Sequence, residues 1–123
     1  MPAEYGYLFK DWEGTKEQGE RAVEVITDII QWGREKGLDD PKAQLNKVIE
    51  EVGEIAHEIC RNRYNNKGVD QPDAVYDAIG DSFVTLLILA DILNMDPITC
   101  MEVAYQEIKD RKGETKDGCF VKR

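Results

Sequence analysis

The run FVTLLILA, residues 83–90, is apolar almost all the way round a helix, and a helix of that kind has to be enclosed by others. It sits inside DAIGDSFVTLLILADIL, residues 77–93, where Asp77 and Asp81 are four apart and so lie on one side of the same helix. Val84 and Ile88 continue that face, which directs both carboxylates at the interior of a helical bundle. Two like charges about 4 Å apart repel by roughly 4 kcal/mol at an effective dielectric near 20. Such a pair calls for a cation or for shifted protonation, and a hard divalent metal with oxygen ligands would supply the charge.

A second acidic helix offers further ligands. In KVIEEVGEIAHEICR, residues 47–61, a turn of about 100° per residue puts Leu45, Val48, Ile49, Val52, Ile55, Ala56 and Ile59 on one broad apolar face, expected to be buried. Glu51, Glu54 and Glu58 stack along a flank of that face with Lys47 a turn before them, while Glu50 and His57 point toward solvent. Taken alone the flank reads as an ordinary charged boundary. The second pair of acids makes it a candidate metal site.

The other elements follow from punctuation and period. Residues 1–17 have no clear period and read as an arm whose aromatics, Tyr5, Tyr7, Phe9 and Trp12, dock on the bundle or on a partner subunit. A first helix is expected from about Gln18 to Lys36, with Ala22, Ile26, Ile29, Ile30 and Gly33 inward and Gly37 as its stop. Trp32, near its end, reads first as core and second as a platform for a nucleobase. Asp40 and Pro41 open the central acidic helix as N-cap and first helical residue, and Asp96 and Pro97 repeat the device. Between the acidic helices, RNRYNNKGVDQPD is a surface loop. The third helix is expected over Asp73 to Leu93 and the fourth over Pro97 to Lys112, with Ile98, Met101, Ala104, Tyr105 and Ile108 as its apolar stripe. No strand is expected before the tail at 113–123, which reads as a short extended segment or an arm.

The 123 residues read as a single all-α domain, a four-helix bundle with short connections, small enough that oligomerisation would help it bury a core. A net charge of -9 argues against nucleic acid or an anionic membrane as partner, because neither meets a broad basic face. An acidic protein that handles phosphates needs metal ions. Three cysteines without close spacing fit neither a disulfide framework nor a thiolate metal site, and no leader or membrane span is legible, so a soluble protein of the reducing cytoplasm is expected.

The sequence EEVGE at Glu50 to Glu54, followed by DAIGD at Asp77 to Asp81 and an apolar helix, resembles the MazG-like family of all-α nucleoside triphosphate pyrophosphohydrolases. The resemblance runs from about Ile29 to the C-terminus, and the tail AYQEIKDRKGETKDGCFVKR is similar to that of small stand-alone members, many of them phage-encoded. It implies Mg²⁺, or Mn²⁺ in its place, held by an E-x-x-E and an E-x-x-D motif. It also implies cleavage of a nucleoside triphosphate between its α and β phosphates, in a homodimer or homotetramer. Glu51 and Glu54 match the first motif and Asp81 the last acid of the second. Ala78 stands where the fuller family pattern has glutamate. Asp77 is the nearest acid, rotated by about 100° from that position but within roughly 40° of Asp81.

On this reading Glu51, Glu54, Asp81 and Asp77 are the metal ligands, Glu54 and Glu51 are the catalytic residues, and Glu54 is the candidate general base. Lys47 and Glu58 flank the substrate, Trp32 faces the base, and Lys109, Arg111 and Lys112 meet the leaving pyrophosphate. Those three cations equally suit the end of a helix dipole. Three other readings stay open: phosphoribosyl-ATP hydrolysis by the same metal site, a di-iron protein using Glu54 and His57 as E-x-x-H, and a non-catalytic helical interaction module.

Overall fold

The computed structural model describes residues 12–65 and 68–123. Four helices carry the chain: α1 Lys16–Glu35, α2 Pro41–Arg61, α3 Pro72–Ile92 and α4 Pro97–Ile108. Two short antiparallel hairpins accompany them, β1 Tyr64–Asn65 with β2 Gly68–Val69, and β3 Gly113–Lys116 with β4 Cys119–Lys122. The fold is all-α in character. The hairpin between the acidic helices corrects the expectation of a plain loop there, and the tail is extended, as one of its two readings had it.

The helix starts follow the residues that can cap them. Thr15 and Gln18 form a reciprocal capping box at α1, and Gly37, at φ 71°, ends that helix in the left-handed conformation. The Asp40 carboxylate accepts from the Lys42 and Ala43 amides, and that of Asp96 accepts from Ile98. At α3 the N-cap Gln71 makes no side-chain cap, because its Oε1 accepts instead from Arg61 Nη2 at 2.9 Å. Helix α4 ends at Ile108, four residues short of the expected Lys112. Arg111 N turns back to the Ile108 carbonyl and Lys112 O accepts from Arg123 N, so these residues close the terminal hairpin instead. Asp117 and Gly118, both at positive φ, make the two-residue turn of that hairpin.

Helices α2 and α3 form the main antiparallel pair, and α1 lies across α3. Gln44, near the start of α2, donates from Nε2 to the Thr85 carbonyl late in α3, at 3.1 Å. At the other end Asn62 Oδ1 accepts from the Gln71 amide. The seam between them is unexpectedly polar. Its buried members are Val48, Ala78 and Ile88 together with Gln44, Glu58, Asn62, Ser82 and Thr85. Small and hydrogen-bonded groups occupy the centre, and larger apolar groups lie outside. Where α1 crosses α3, Gly33 is buried, and a Cβ added to it would lie 3.1 Å from Ile88 Cγ1.

Several expectations of burial are therefore corrected. Of the apolar face of α2, only Val48 is buried and Ile55 partly so; Leu45, Ile49, Val52, Ala56 and Ile59 are exposed. The run FVTLLILA is enclosed on one side only, Phe83 being 61% exposed. The stripe of α4 is exposed throughout, and Trp32 is not core. The physical reason is common to all: a single chain has too few helices to cover these faces. The inner face of α1 fares better, with Ala22, Ile26, Ile29 and Ile30 partly covered. Tyr5, Tyr7 and Phe9 lie outside the described residues, and Trp12 is exposed. Among the described residues no single helix is long and apolar enough to cross a membrane. The three cysteines are free and exposed.

Candidate metal and substrate site

A crevice of about 550 Å³ opens between the end of α1, the first half of α2 and the middle of α3. That is within the usual range for a small-molecule site, about 300–1,000 Å³. Trp32 forms one wall, Lys47 and Glu51 a second, and Asp81 with Thr85 a third. The sequence brings these together simply: Trp32 is set one turn before the stop at Gly37, and the short link to Asp40 folds α2 back beside it. The four-residue spacing of Lys47 with Glu51 on α2 and of Asp81 with Thr85 on α3, about one turn each, does the rest.

The charges in the crevice are uneven. Lys47 Nζ lies 3.4 Å from a carboxylate oxygen of Glu50 and 3.4 Å from one of Glu51, and these acids raise its pKa. The Glu51 side chain is 16% exposed, much the more enclosed of the two acids. Asp81 is held above its ordinary pKa, first by burial, then by the nearby Asp77 and Glu51 carboxylates, with Lys47 pulling the other way. Its charge is under-compensated. Asp77 is itself exposed and lies on the rim of a different groove, between α1, α3 and α4, which corrects the expectation that it faces inward. It still reaches Asp81 electrostatically, as the rotation of about 40° requires.

Ala78 is buried in the α2 and α3 seam, so the place where a glutamate would extend the ligand set is packed with a methyl group. Glu54 and Glu58 do not line this crevice. Glu58 is buried and accepts from Arg61 Nε at 3.1 Å and from Asn62 Nδ2 at 3.4 Å, which gives it a structural partner rather than a substrate. Glu54 is exposed. Ligand atoms of Glu54, His57 and Glu58 come within 4.8 Å of one another, so His57, solvent-facing as expected, still belongs to a mixed carboxylate and imidazole cluster. Lys109, Arg111 and Lys112 are exposed beyond α4, and among the described residues none forms an ion pair with the acids.

Two supporting residues escaped the sequence. Asn62 ties the end of α2 to the start of α3 and carries Glu58, and Arg34 grips Asp91 with Nε to Oδ2 at 2.9 Å and Nη2 to Oδ1 at 2.6 Å. An Asn one residue past a helix was the only available signal for the first. For the second there was none, since the partners are far apart in the chain.

Glu51 and Asp81 offer the crevice carboxylate oxygens of the kind a hard cation takes, with Lys47 between them and Glu50, while among the described residues only Glu54, His57 and Glu58 bring three ligand atoms within 4.8 Å of one another. No protein-family model matches the chain, and no solved structure matches it. The chain is similar to an uncharacterized 18.2 kDa protein from the rep-hol intergenic region of Haemophilus phage HP1, with 32% identity over 78 residues. The match covers 61% of this chain and 43% of the phage protein, so the chain spans less than half the length of that relative.

Proposed function

We propose that the chain is a Mg²⁺-dependent nucleoside triphosphate pyrophosphohydrolase, releasing nucleoside monophosphate and pyrophosphate, and that it acts as a homo-oligomer in the cytoplasm. The observation that carries this reading is the under-compensated charge on Asp81, facing Glu51 across a crevice walled by Trp32. Glu51, Asp81 and Asp77 would hold the metal. When bound, Mg²⁺, or Mn²⁺ in its place, would screen the polyphosphate and acidify a water at the α-phosphate.

The chain's own residues supply the rest. Trp32 offers a half-exposed ring against which a base can stack, and Lys47, which lines the same crevice, would meet anionic oxygens of the substrate. Glu54, exposed one turn beyond Glu51, would accept a proton from water or extend the ligand set. Lys109, Arg111 and Lys112 would serve the leaving pyrophosphate only if a second subunit brings them to the crevice. Phosphoribosyl-ATP is the alternative substrate class, since metal ligands do not distinguish the two.

Pyrophosphate release from a panel of NTPs and dNTPs, with Mg²⁺ and with EDTA, tests the reading. Glu54→Gln is expected to abolish turnover while leaving the circular dichroism spectrum unchanged; full activity in that variant would sink it. The cluster of Glu54, His57 and Glu58 favours one other reading, a transition-metal site of the E-x-x-H type. A di-iron centre of that type needs a second such motif, and this chain has one histidine. Protein purified free of iron and without oxidase activity would remove it.

A further inference from the structure

Gln44 is only 6% exposed, yet it lines the crevice along with Trp32. Its amide can sit only one way round. The Thr85 carbonyl is an acceptor, so the group 3.1 Å from it is the Gln44 nitrogen, Nε2, and the oxygen, Oε1, is turned to the other side of the amide. Among the described residues nothing donates to that oxygen, and no fully buried side-chain oxygen lacks a partner, so Oε1 is open and the crevice is the space it opens on. A nearly buried acceptor with a fixed direction selects a ligand that brings a donor, because a ligand without one leaves the oxygen desolvated and unpaired.

The side chains around it are acceptors as well. The Thr85 hydroxyl spends its proton on the Ser82 carbonyl at 3.0 Å, and the carboxylates of Asp39 and Asp40, at the start of α2, line the crevice too. Lys47 is a donor, but Glu50 and Glu51 hold it. The Trp32 N–H lies in the plane of its ring, and a base stacked on that ring lies above the plane, out of its line. Along α2, Gln44 comes seven residues before Glu51, a rise of about 10 Å. That is comparable with the span from the amino edge of a nucleobase to the α-phosphate of the same nucleotide.

We propose that Gln44 reads the base, and that the site prefers a nucleotide whose base carries an exocyclic amino group over one with uracil or thymine. This rests on the reading of the crevice as a nucleotide site and adds the substrate class. An amino group turned to Oε1 while the ring stacks on Trp32 supplies the missing donor. Uracil and thymine have a single N–H on that edge, flanked by two carbonyls. Presenting it to Oε1 sets those carbonyls among oxygens that offer no proton, and Gln44 cannot turn its nitrogen to them without giving up Thr85.

Isothermal titration calorimetry with Mg²⁺ and the α,β-methylene analogues of CTP and UTP tests this, since both keep base and phosphates but cannot be split between the α and β positions. The wild-type chain is expected to bind the CTP analogue at least about 10-fold more tightly. Gln44→Met, of similar length and without the acceptor, is expected to bring that ratio close to one, whereas loosening of the α2 and α3 seam alone would weaken both analogues alike. Equal binding of the two analogues by the wild type overturns the proposal without any variant, and so does a ratio unchanged in Gln44→Met. Binding of neither analogue overturns it together with the enzymatic reading. Equal binding accompanied by turnover of CTP and UTP removes this inference alone. A preference for the CTP analogue without turnover of CTP keeps it and removes the reaction.

Discussion

At Asp81 the protein holds a carboxylate at a place that disfavours its charge, between burial on one side and Asp77 and Glu51 on the other. A raised carboxyl pKa means that ionising the group costs folding free energy, so that cost is fully present at pH 7. Asp81→Asn should therefore raise the melting temperature at neutral pH by about 1–3 °C, the effect being modest because the site is open to solvent. The same change should remove metal-dependent turnover. Stability and function are expected to move in opposite directions, and differential scanning calorimetry beside a pyrophosphate assay reads both. Asp91 is the opposite case, its pKa lowered first by the hydrogen bonds from Arg34 and further by that cation's charge, against burial. Its contribution is present above the unfolded carboxyl value, about 3.9, and is lost as pH falls through the lower folded value. Comparing Asp91→Asn with wild type across pH should show a deficit at pH 7 that closes below about pH 4.

Between elements, the crossing of α1 over α3 depends on Gly33, whose missing Cβ leaves Ile88 its place. Gly33→Leu should cost about 1–3 kcal/mol in urea unfolding, because the added side chain has no space without separating the helices. This glycine also shows how far the sequence could be read. Helix starts were legible because Asp40, Pro41, Asp96 and Pro97 satisfy or omit specific amides, and the inner face of α1 because its period is clean. The meeting of Glu51 with Asp81 followed from placing two acidic helices side by side. The burial of α2 did not follow, since a helical stripe shows which residues want cover and not whether one chain provides it. In α2 the buried face is the one bearing Gln44 and Glu58, chosen by hydrogen bonds to Thr85 and Asn62 that no periodicity reveals. Asp77 faced outward for a related reason: Ala78 is small enough to take the seam position beside it.

For the whole molecule, amides, hydroxyls and a carboxylate sit between α2 and α3 while many large apolar groups share the outside with the charged ones. If cohesion comes from the outer faces, melting should depend on protein concentration, the midpoint falling on serial dilution, which differential scanning fluorimetry would show. The inner seam answers a different need. Apolar side chains tolerate sliding past one another, whereas the Gln44 amide has one carbonyl to reach, and a slip of one turn would strand it. That bond sets how far α3 lies along α2, and with it the height of Asp81 opposite Glu51. Alignment and adhesion are thus assigned to different sides of the same two helices, so the outer faces are free to change their partners without moving the carboxylates.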